Sequence, residues 1–337
     1  MEYSVDGEDE QMKALVTTRF GSPAGMEIVE RDIPEMHPGY ALIRMHAATI
    51  NPLSSYVRRG DFSAAPLPLV LSNDGAGTVV QGTRLAAGTR VAVYGGGDLG
   101  ISKDGLQQQW VLVEEERLIV LPDSLTLEQG AALPINYVTA YQAITRVGRL
   151  MPGQTALVSG AAGALGHALV QTTSALGARV IAVASGAEKA AHLRQLGRAS
   201  VIDLSAQDLP STIMALTDGQ GVDLAFDAVG GDLLGELLRS LKPRGAVVSI
   251  GFAGGVRASF DVVDLVVHEK RVLGYDAHLE TDVDVQTAKA AVQRLAEAGH
   301  LCPVIDSVFQ LEDFEAGYQR LASRKAIGAI VLRLQDA

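Results

Sequence analysis

The stretch that decides the fold runs from Thr155 to Gly177, TALVSGAAGALGHALVQTTSALG. It opens with Ala156-Leu157-Val158, an apolar run of the length of a buried strand. Gly160, Gly163 and Gly166 follow at a spacing of three. Beyond them Leu165, Ala168, Leu169 and Leu176 recur at helical spacing. In a strand, turn and helix of this kind the three glycines do different work. The first permits the tight turn, the second lets backbone approach a pyrophosphate, and the third lets helix and strand pack closely. The helix start then offers free N–H groups and the positive end of its dipole to phosphates. The alternative is an ordinary strand–helix turn, and the flanking elements favour the first reading.

Around this element the chain changes style. Up to about Val120 short apolar runs alternate with turn residues. Met12–Val16, Ala41–His46, Gly77–Val80, Arg90–Val93 and Trp110–Val113 read as strands. Gly21, Pro23, Gly25, Pro34, Pro38 and Gly39 read as turns. This is the pattern of an irregular, partly closed β domain. Ser124 or Thr126 then caps a helix through Glu128 to Ala132, Pro134 breaks it, and a second helix runs from about Val138 to Val147.

After the glycine element strands and helices alternate: Val180–Ala184, Ala187–Leu196, Ser200–Ile202, Pro210–Leu216, Asp223–Asp227, Leu233–Leu241 and Ala246–Ile250. Val272–Tyr275 reads as a sixth strand. Such alternation predicts a parallel sheet covered on both faces, with its ligand at the carboxyl ends of the strands. A helix over Asp284–Ala298, a strand near Val304–Phe309, a helix near Glu312–Leu321 and an apolar strand Ala329–Leu334 close the chain. The last strand has no partner in a finished six-stranded sheet, so it is expected to return to the N-terminal β domain. The fold class is therefore α/β, a doubly wound parallel-sheet (Rossmann) domain inserted in an irregular β-rich one. The expected bounds are a disordered acidic tail at 1–11, a first domain at 12–128 with 277–337, and the dinucleotide-binding domain at 129–276. The cleft between domains is the natural place for a ligand.

Composition narrows the partners. The chain has 337 residues, 47% of them hydrophobic, and a net charge of −11. That charge argues against nucleic acid or an anionic membrane as a partner. No apolar stretch is long enough to span a bilayer. The acidic start MEYSVDGEDEQ is no signal peptide, which fits a cytoplasmic setting. One cysteine, Cys302, leaves no internal disulfide and no thiolate zinc cluster.

Several segments stand in order: MKALV from Met12, INPLSSYVRRG (Ile50 to Gly60), SNDGAG (Ser72 to Gly77), ALPINYVTAY (Ala132 to Tyr141), SGAAGALG (Ser159 to Gly166), FDAVGG (Phe226 to Gly231) and VVSIGFAGG (Val247 to Gly255). Together they resemble the zinc-free quinone oxidoreductase (zeta-crystallin-like) branch of the medium-chain dehydrogenase/reductase superfamily. The resemblance covers Met12 to Leu334 and implies that the β-rich domain is GroES-like. It is specific for superfamily and cofactor and weak for the substrate. Zinc alcohol dehydrogenases put a cysteine where this chain has Asn51 and a Gly-His-Glu where it has Ser72-Asn73-Asp74. The histidines show no ligand spacing, so no metal is expected. Without a Lewis acid, alkoxide formation is hard, and reduction of an already polarised acceptor is easier.

The resemblance implies NADPH as cofactor. Gly160, Ala161, Gly163, Ala164, Leu165 and Gly166 would meet its phosphates. Val229, Gly230, Gly251 and Phe252 would hold the nicotinamide end through backbone groups, and Asn51 and Thr139 would line the nicotinamide and phosphate side. The residues also allow Thr139 to be a helix-start cap. The second strand ends Val183-Ala184-Ser185-Gly186 with no acid at its tip, where an NAD site usually carries one. By resemblance Ser185, Lys189 and Arg324 reach the 2′-phosphate; as plain residues Lys189 and Arg324 are solvated helix charges. The loop from Asn51 to Gly60 is expected over the cofactor. In it Tyr56 matches a tyrosine assigned as proton donor or oxyanion stabiliser, or it only packs its ring. The expected activity is NADPH-dependent hydride transfer to a quinone or an α,β-unsaturated carbonyl, in a homodimer paired through the sixth strand. An enoyl-thioester reductase and a non-enzymatic NADPH-binding relative stand as alternatives.

Overall fold

The structure is a computed structural model and describes residues 11–62 and 65–335. The expected acidic tail lies outside the described residues except for Gln11, which begins a strand. Two compact units are formed, one from the residues up to Ile135 and from Lys289 onward, the other from Asn136–Ala288.

The first unit opens with β1 (Gln11–Arg19), β2 (Gly25–Asp32) and β3 (Tyr40–Ile50). There follow α1 (Pro52–Arg59), β4 (Leu69–Val70), β5 (Asp74–Gly82), β6 (Arg90–Tyr94), β7 (Trp110–Glu114), β8 (Leu118–Val120) and α2 (Leu127–Ala131). β2, β1 and β4 form a small antiparallel sheet. β3 is the spine of the larger one, pairing with both β5 and β7. Its inward residues Ile43, Met45 and Ala48 join Leu15, Leu69, Leu71 and Leu106 in the core.

The second unit runs α3 (Pro134–Gln142), a π-helical turn (Ala143–Val147), β9 (Thr155–Val158), α4 (Ala164–Ala175), β10 (Arg179–Ala184), α5 (Ala187–Leu196), β11 (Ser200–Asp203) and α6 (Leu209–Leu216). It continues with β12 (Val222–Asp227), α7 (Leu233–Arg239), β13 (Leu241–Ser249), α8 (Val262–Val267), β14 (Arg271–Gly274) and the start of α9 (Asp282–Glu297). All six strands are parallel, in the order β11-β10-β9-β12-β13-β14. That is the doubly wound order, with its reversal between β9 and β12. Leu157, Ile181, Val183, Ala225 and Val247 fill its centre.

The chain then returns. β15 (Ile305–Gln310), α10 (Phe314–Ala322) and β16 (Ala329–Arg333) belong to the first unit. β16 pairs antiparallel with β3, Ile330 opposite Ile50 and Arg333 opposite Ala47, as the unpartnered terminal strand requires.

Several local expectations are corrected. Asn51 to Gly60 is not a loop. The Asn51 side chain caps α1, Pro52 takes the first helical position, and Gly60 ends it at φ 87°. Pro134 does stand at the break between α2 and α3, but it is itself the first residue of α3, which therefore starts earlier than Val138: its missing N–H is not needed at a first turn. β2 forms between flanking turn residues, because Met26–Val29 offers the alternation to pair with β1. Leu241 opens β13 instead of closing α7, and the register with β12 shifts beside Pro243. α8 was not anticipated; Asp261 caps it and none of its residues is buried. The unit divisions also fall later than 128/129 and 276/277. α2 packs on β3, β5 and β6, and the Ile135 N–H donates to Asp74 at 2.7 Å. On the return, Gln142 bonds the Asp284 carbonyl while Lys289 bonds the Glu116 carbonyl, so the division runs through α9.

Candidate functional site

In the second unit the turn after β9 is built from backbone. Gly160 lies at φ 59°, and a Cβ there would stand 2.8 Å from Val229 Cγ2. A Cβ on Gly166 would stand 2.1 Å from the Gly160 carbonyl oxygen, so helix and turn touch only because this residue has none. Gly163 differs: its backbone is extended, and a Cβ would meet nothing closer than the Gly160 carbonyl at 3.4 Å. It is the N-cap of α4, with no side chain capping the helix. Ala164, Leu165 and Gly166 therefore carry the orphan N–H groups of the first turn. The Ala161 N–H is tied to the Val183 carbonyl at 3.1 Å, which pins the turn to β10. An uncapped helix start behind an open glycine at the carboxyl ends of the strands suits a pyrophosphate.

Asp227, at the end of β12, organises the next loop. Its Oδ1 accepts from Ser159 Oγ at 2.7 Å and from the N–H groups of Val229 and Gly230 at 3.0 Å each. Its backbone carbonyl accepts from Gly251. Val229 has its N–H on Asp227 and its carbonyl on Gly254, so what it chiefly presents is its side chain. That narrows its expected backbone role. Phe252, in the following loop, is about half exposed, at 51%. The sequence signal for Asp227 was an acid closing an apolar strand just before Val-Gly-Gly.

At the tip of β10 Ser185 is exposed, and Lys189 sits in the first turn of α5. No acid stands there, but Asp203 stands one strand over, in register with Ala184. Its Oδ1 accepts from Ser205 Oγ, Ser205 N–H and Gly186 N–H at 2.7, 2.9 and 3.1 Å. The Ser205 bonds, then that from Gly186, hold its carboxyl below the usual range, so it stays anionic. Sequence reading passed over it. Thr139 lies inside α3 and caps nothing; its Oγ1 accepts from the Tyr275 hydroxyl at 3.5 Å.

The first unit holds Asn51, Tyr56 and Arg324. Asn51 Oδ1 accepts the Ser54 N–H at 2.9 Å, and its Nδ2 donates to Asn73 Oδ1 at 3.0 Å and Thr49 Oγ1 at 3.3 Å. Its oxygen thus caps α1 and both its amide hydrogens are engaged within this cluster. Asp74 lies next to this cluster, fully buried, accepting from Ile135 N–H and, at 3.5 Å, from Thr49 Oγ1. Burial pushes its carboxyl up to about 7, against hydrogen bonds from Ile135, Asn51 and Thr49. Asn51 and Asn73, which by the resemblance stand where zinc alcohol dehydrogenases put a cysteine and a histidine, are amides bonded to each other. Among the described residues no three His, Cys, Asp or Glu side chains are grouped to hold a metal.

α1 carries Tyr56 half-buried, with the Arg59 guanidinium 4.8 Å over its ring. Burial raises the phenol above its ordinary value, while Arg59 and Arg324 pull it down. Arg324, exposed at φ 57°, thus acts electrostatically on Tyr56. The structure brings Tyr56, Asn51 and Arg324 into one unit and the glycine turn, Ser185, Lys189, Val229, Gly230, Gly251 and Phe252 into the other.

Residues 37–123 match the alcohol dehydrogenase GroES-like domain and residues 164–304 the zinc-binding dehydrogenase domain. Quinone oxidoreductase-like protein 2 of Rattus norvegicus is 30% identical over 98% of this chain and 94% of its own. Among solved structures, an NAD-dependent alcohol dehydrogenase superposes with a TM-score of 0.86 at 26% identity, over 96% of this chain and 100% of that one. A quinone oxidoreductase of Pseudomonas syringae pv. Tomato DC3000 does so with a TM-score of 0.82 at 30% identity, over 96% and 99%. No helix among the described residues is long and apolar enough to cross a membrane. With a doubly wound sheet inserted in a GroES-like unit and relatives along its whole length, the chain belongs to the medium-chain dehydrogenase/reductase superfamily, among its quinone oxidoreductase-like oxidoreductases.

Proposed function

We propose that this oxidoreductase uses NADPH, needs no zinc, and reduces a quinone or an α,β-unsaturated carbonyl. The observation that carries the reading is the Asn51–Asn73 amide pair. Two neutral amides bonded to each other are poor ligands for zinc, which takes sulfur, imidazole or carboxylate. Without a Lewis acid, an acceptor that is already polarised suits the site better than an alcohol donor.

A nicotinamide cofactor, when bound, supplies the hydride. The uncapped start of α4 and Gly163 would receive its pyrophosphate, and Ser185 with Lys189 its 2′-phosphate. Asn51 and Ser54 hold α1 and thereby fix Tyr56. The Tyr56 hydroxyl donates to the acceptor oxygen as negative charge grows there. Its raised pKa keeps it protonated at neutral pH, as a donor must be. Two copies pair through β14: Val272 on that edge is 40% exposed, and Val262, Val263, Val266 and Val267 of α8 are 63–66% exposed.

The test is NADPH oxidation against a panel of quinones, enones and enoyl thioesters, with zinc content measured on the same sample. Turnover of quinones or enones by zinc-free protein is expected. NADPH binding with no acceptor turned over would favour a non-enzymatic relative, and turnover confined to thioesters a biosynthetic reductase. Light scattering at micromolar concentration is expected to give a dimer mass.

A further inference from the structure

The second unit has a cavity of about 340 Å³ at the end of its sheet opposite the glycine turn. Residues at or near the starts of β9, β12, β13 and β14 line it. In doubly wound sheets the dinucleotide binds at the other, carboxyl end. Arg146, Arg149, Lys242, Arg244 and Arg271 all line the cavity, in a protein of net charge −11. The sole acid in the lining is Asp223, and it is already occupied. It pairs with Lys242 and accepts from Gln154 Nε2 at 3.1 Å and the Thr155 N–H at 2.8 Å. Arg244 has Glu269 at 2.7 Å on the exposed rim. One terminal nitrogen of Arg146 is buried with no hydrogen-bond partner; its nearest paired carboxylate oxygen, on Glu280, is 4.0 Å away.

The backbone adds a second observation. Arg149 lies at φ 52° and Arg244 at φ 64°, the left-handed region where glycine or asparagine is the easy choice. An arginine held in such a conformation at two places in the lining of one cavity points to a use for its charge.

We propose that this cavity binds a small multiply charged oxyanion, a phosphoryl or pyrophosphoryl group on a soluble molecule. Guanidinium forks suit such oxygens bidentately. The volume falls within the range of small-molecule sites. The acidic remainder of the protein repels extended polyanions, so a compact ligand is favoured over nucleic acid or an anionic bilayer.

The probe is inorganic pyrophosphate, titrated calorimetrically into the full chain at low salt, with and without saturating NADPH to occupy the glycine turn. The variant is Arg149→Gly with Arg244→Gly, which removes two charges and relieves two left-handed arginines. Binding to the NADPH-saturated parent is expected. In the double variant it should weaken by roughly tenfold or more, the loss of two charge-assisted bonds, with the melting temperature unchanged or higher. Absence of pyrophosphate binding to the NADPH-saturated parent at millimolar concentration overturns the proposal. So does equal affinity in parent and variant.

Discussion

The two units differ in what their sites are made of. In the second, the site is backbone: a turn at Gly160, an uncapped helix start at Ala164, and a loop held from behind by Asp227. The Ala161, Val229 and Gly230 N–H groups are tied to protein acceptors, and the donors at the start of α4 are left for a ligand. In the first, the site is side chains that satisfy one another: Asn51, Asn73, Thr49 and Asp74 close a network, and Tyr56 rides on the helix that network fixes. A backbone cradle tolerates any side chain that stays out of the way, whereas a closed network stands or falls with each member. Substitutions should therefore separate the units by kind of effect.

The largest effect is expected at Tyr56. Tyr56→Phe keeps the ring under Arg59 and removes the hydroxyl. Turnover on an enone should fall by roughly 10²–10⁴, with NADPH affinity little changed. A quinone should suffer less, because its reduced oxygens take protons from water. Near-parental enone turnover would assign Tyr56 to packing and erase the chemical half of the contrast.

Next come two buried groups whose pH effects have opposite signs. Asp74 has its pKa raised to about 7, from 3.8. The folded unit holds a proton that the unfolded chain releases, so this contribution is full below about 4 and is lost as pH rises through 7. The span corresponds to about 4 kcal/mol. His167 is buried against the His192 ring at 5.4 Å, its Nε2 has no hydrogen-bond partner, and burial followed by the His192 charge brings its pKa down to about 4. Its contribution is full above about 6.5 and is lost as pH falls toward 4, by about 3 kcal/mol. Trp110, the only tryptophan, reports the first unit, and amide exchange along α4 reports the second. Asp74→Asn should flatten the acid-favouring slope seen by Trp110, and His167→Leu the opposite slope seen in α4. Slopes of the same sign in both units would contradict the assignment.

The same contrast explains what was legible. The β9–α4 turn, the strand alternation and the return of β16 could be read because they rest on local periodicity and glycine spacing. α1 is hard to see in the sequence because its capping box uses Asn51 and Ser54 in place of the usual Ser/Thr with Glu/Gln. The network around Asp74 and Asn73 is not legible in the sequence, since their partners come from residues as distant as Thr49 and Ile135. Asp203 was missed because the expected acid belongs to β10, and only strand pairing puts β11 beside it.

Cofactor choice sharpens the second unit's side. If Lys189 meets a 2′-phosphate, Lys189→Ala should cost roughly 1.5–3 kcal/mol of NADPH binding, about one to two decades in affinity, and leave NADH binding unchanged. Asp203, anionic at the neighbouring tip, works against a second phosphate nearby, so the preference in the parent should be modest. Equal affinities of the parent for NADH and NADPH would remove Lys189 from the site.

The smallest effect is expected at Gly163, and its smallness is the point. Gly166→Ala forces a Cβ to 2.1 Å from a carbonyl oxygen and should destabilise the unit by roughly 1–3 kcal/mol. Gly163→Ala meets only that carbonyl, at 3.4 Å, on an extended backbone that any residue adopts. Its stability should stay within about 0.5 kcal/mol of the parent, less the slight weakness of alanine as an N-cap. The methyl group would instead project where a pyrophosphate approaches the turn, so NADPH affinity should fall while the melting temperature does not. Thermal unfolding with and without NADPH measures both at once. A variant that loses stability but keeps the NADPH-induced shift would make Gly163 a folding glycine like its neighbour, and the open cradle would then begin one residue later, at Ala164.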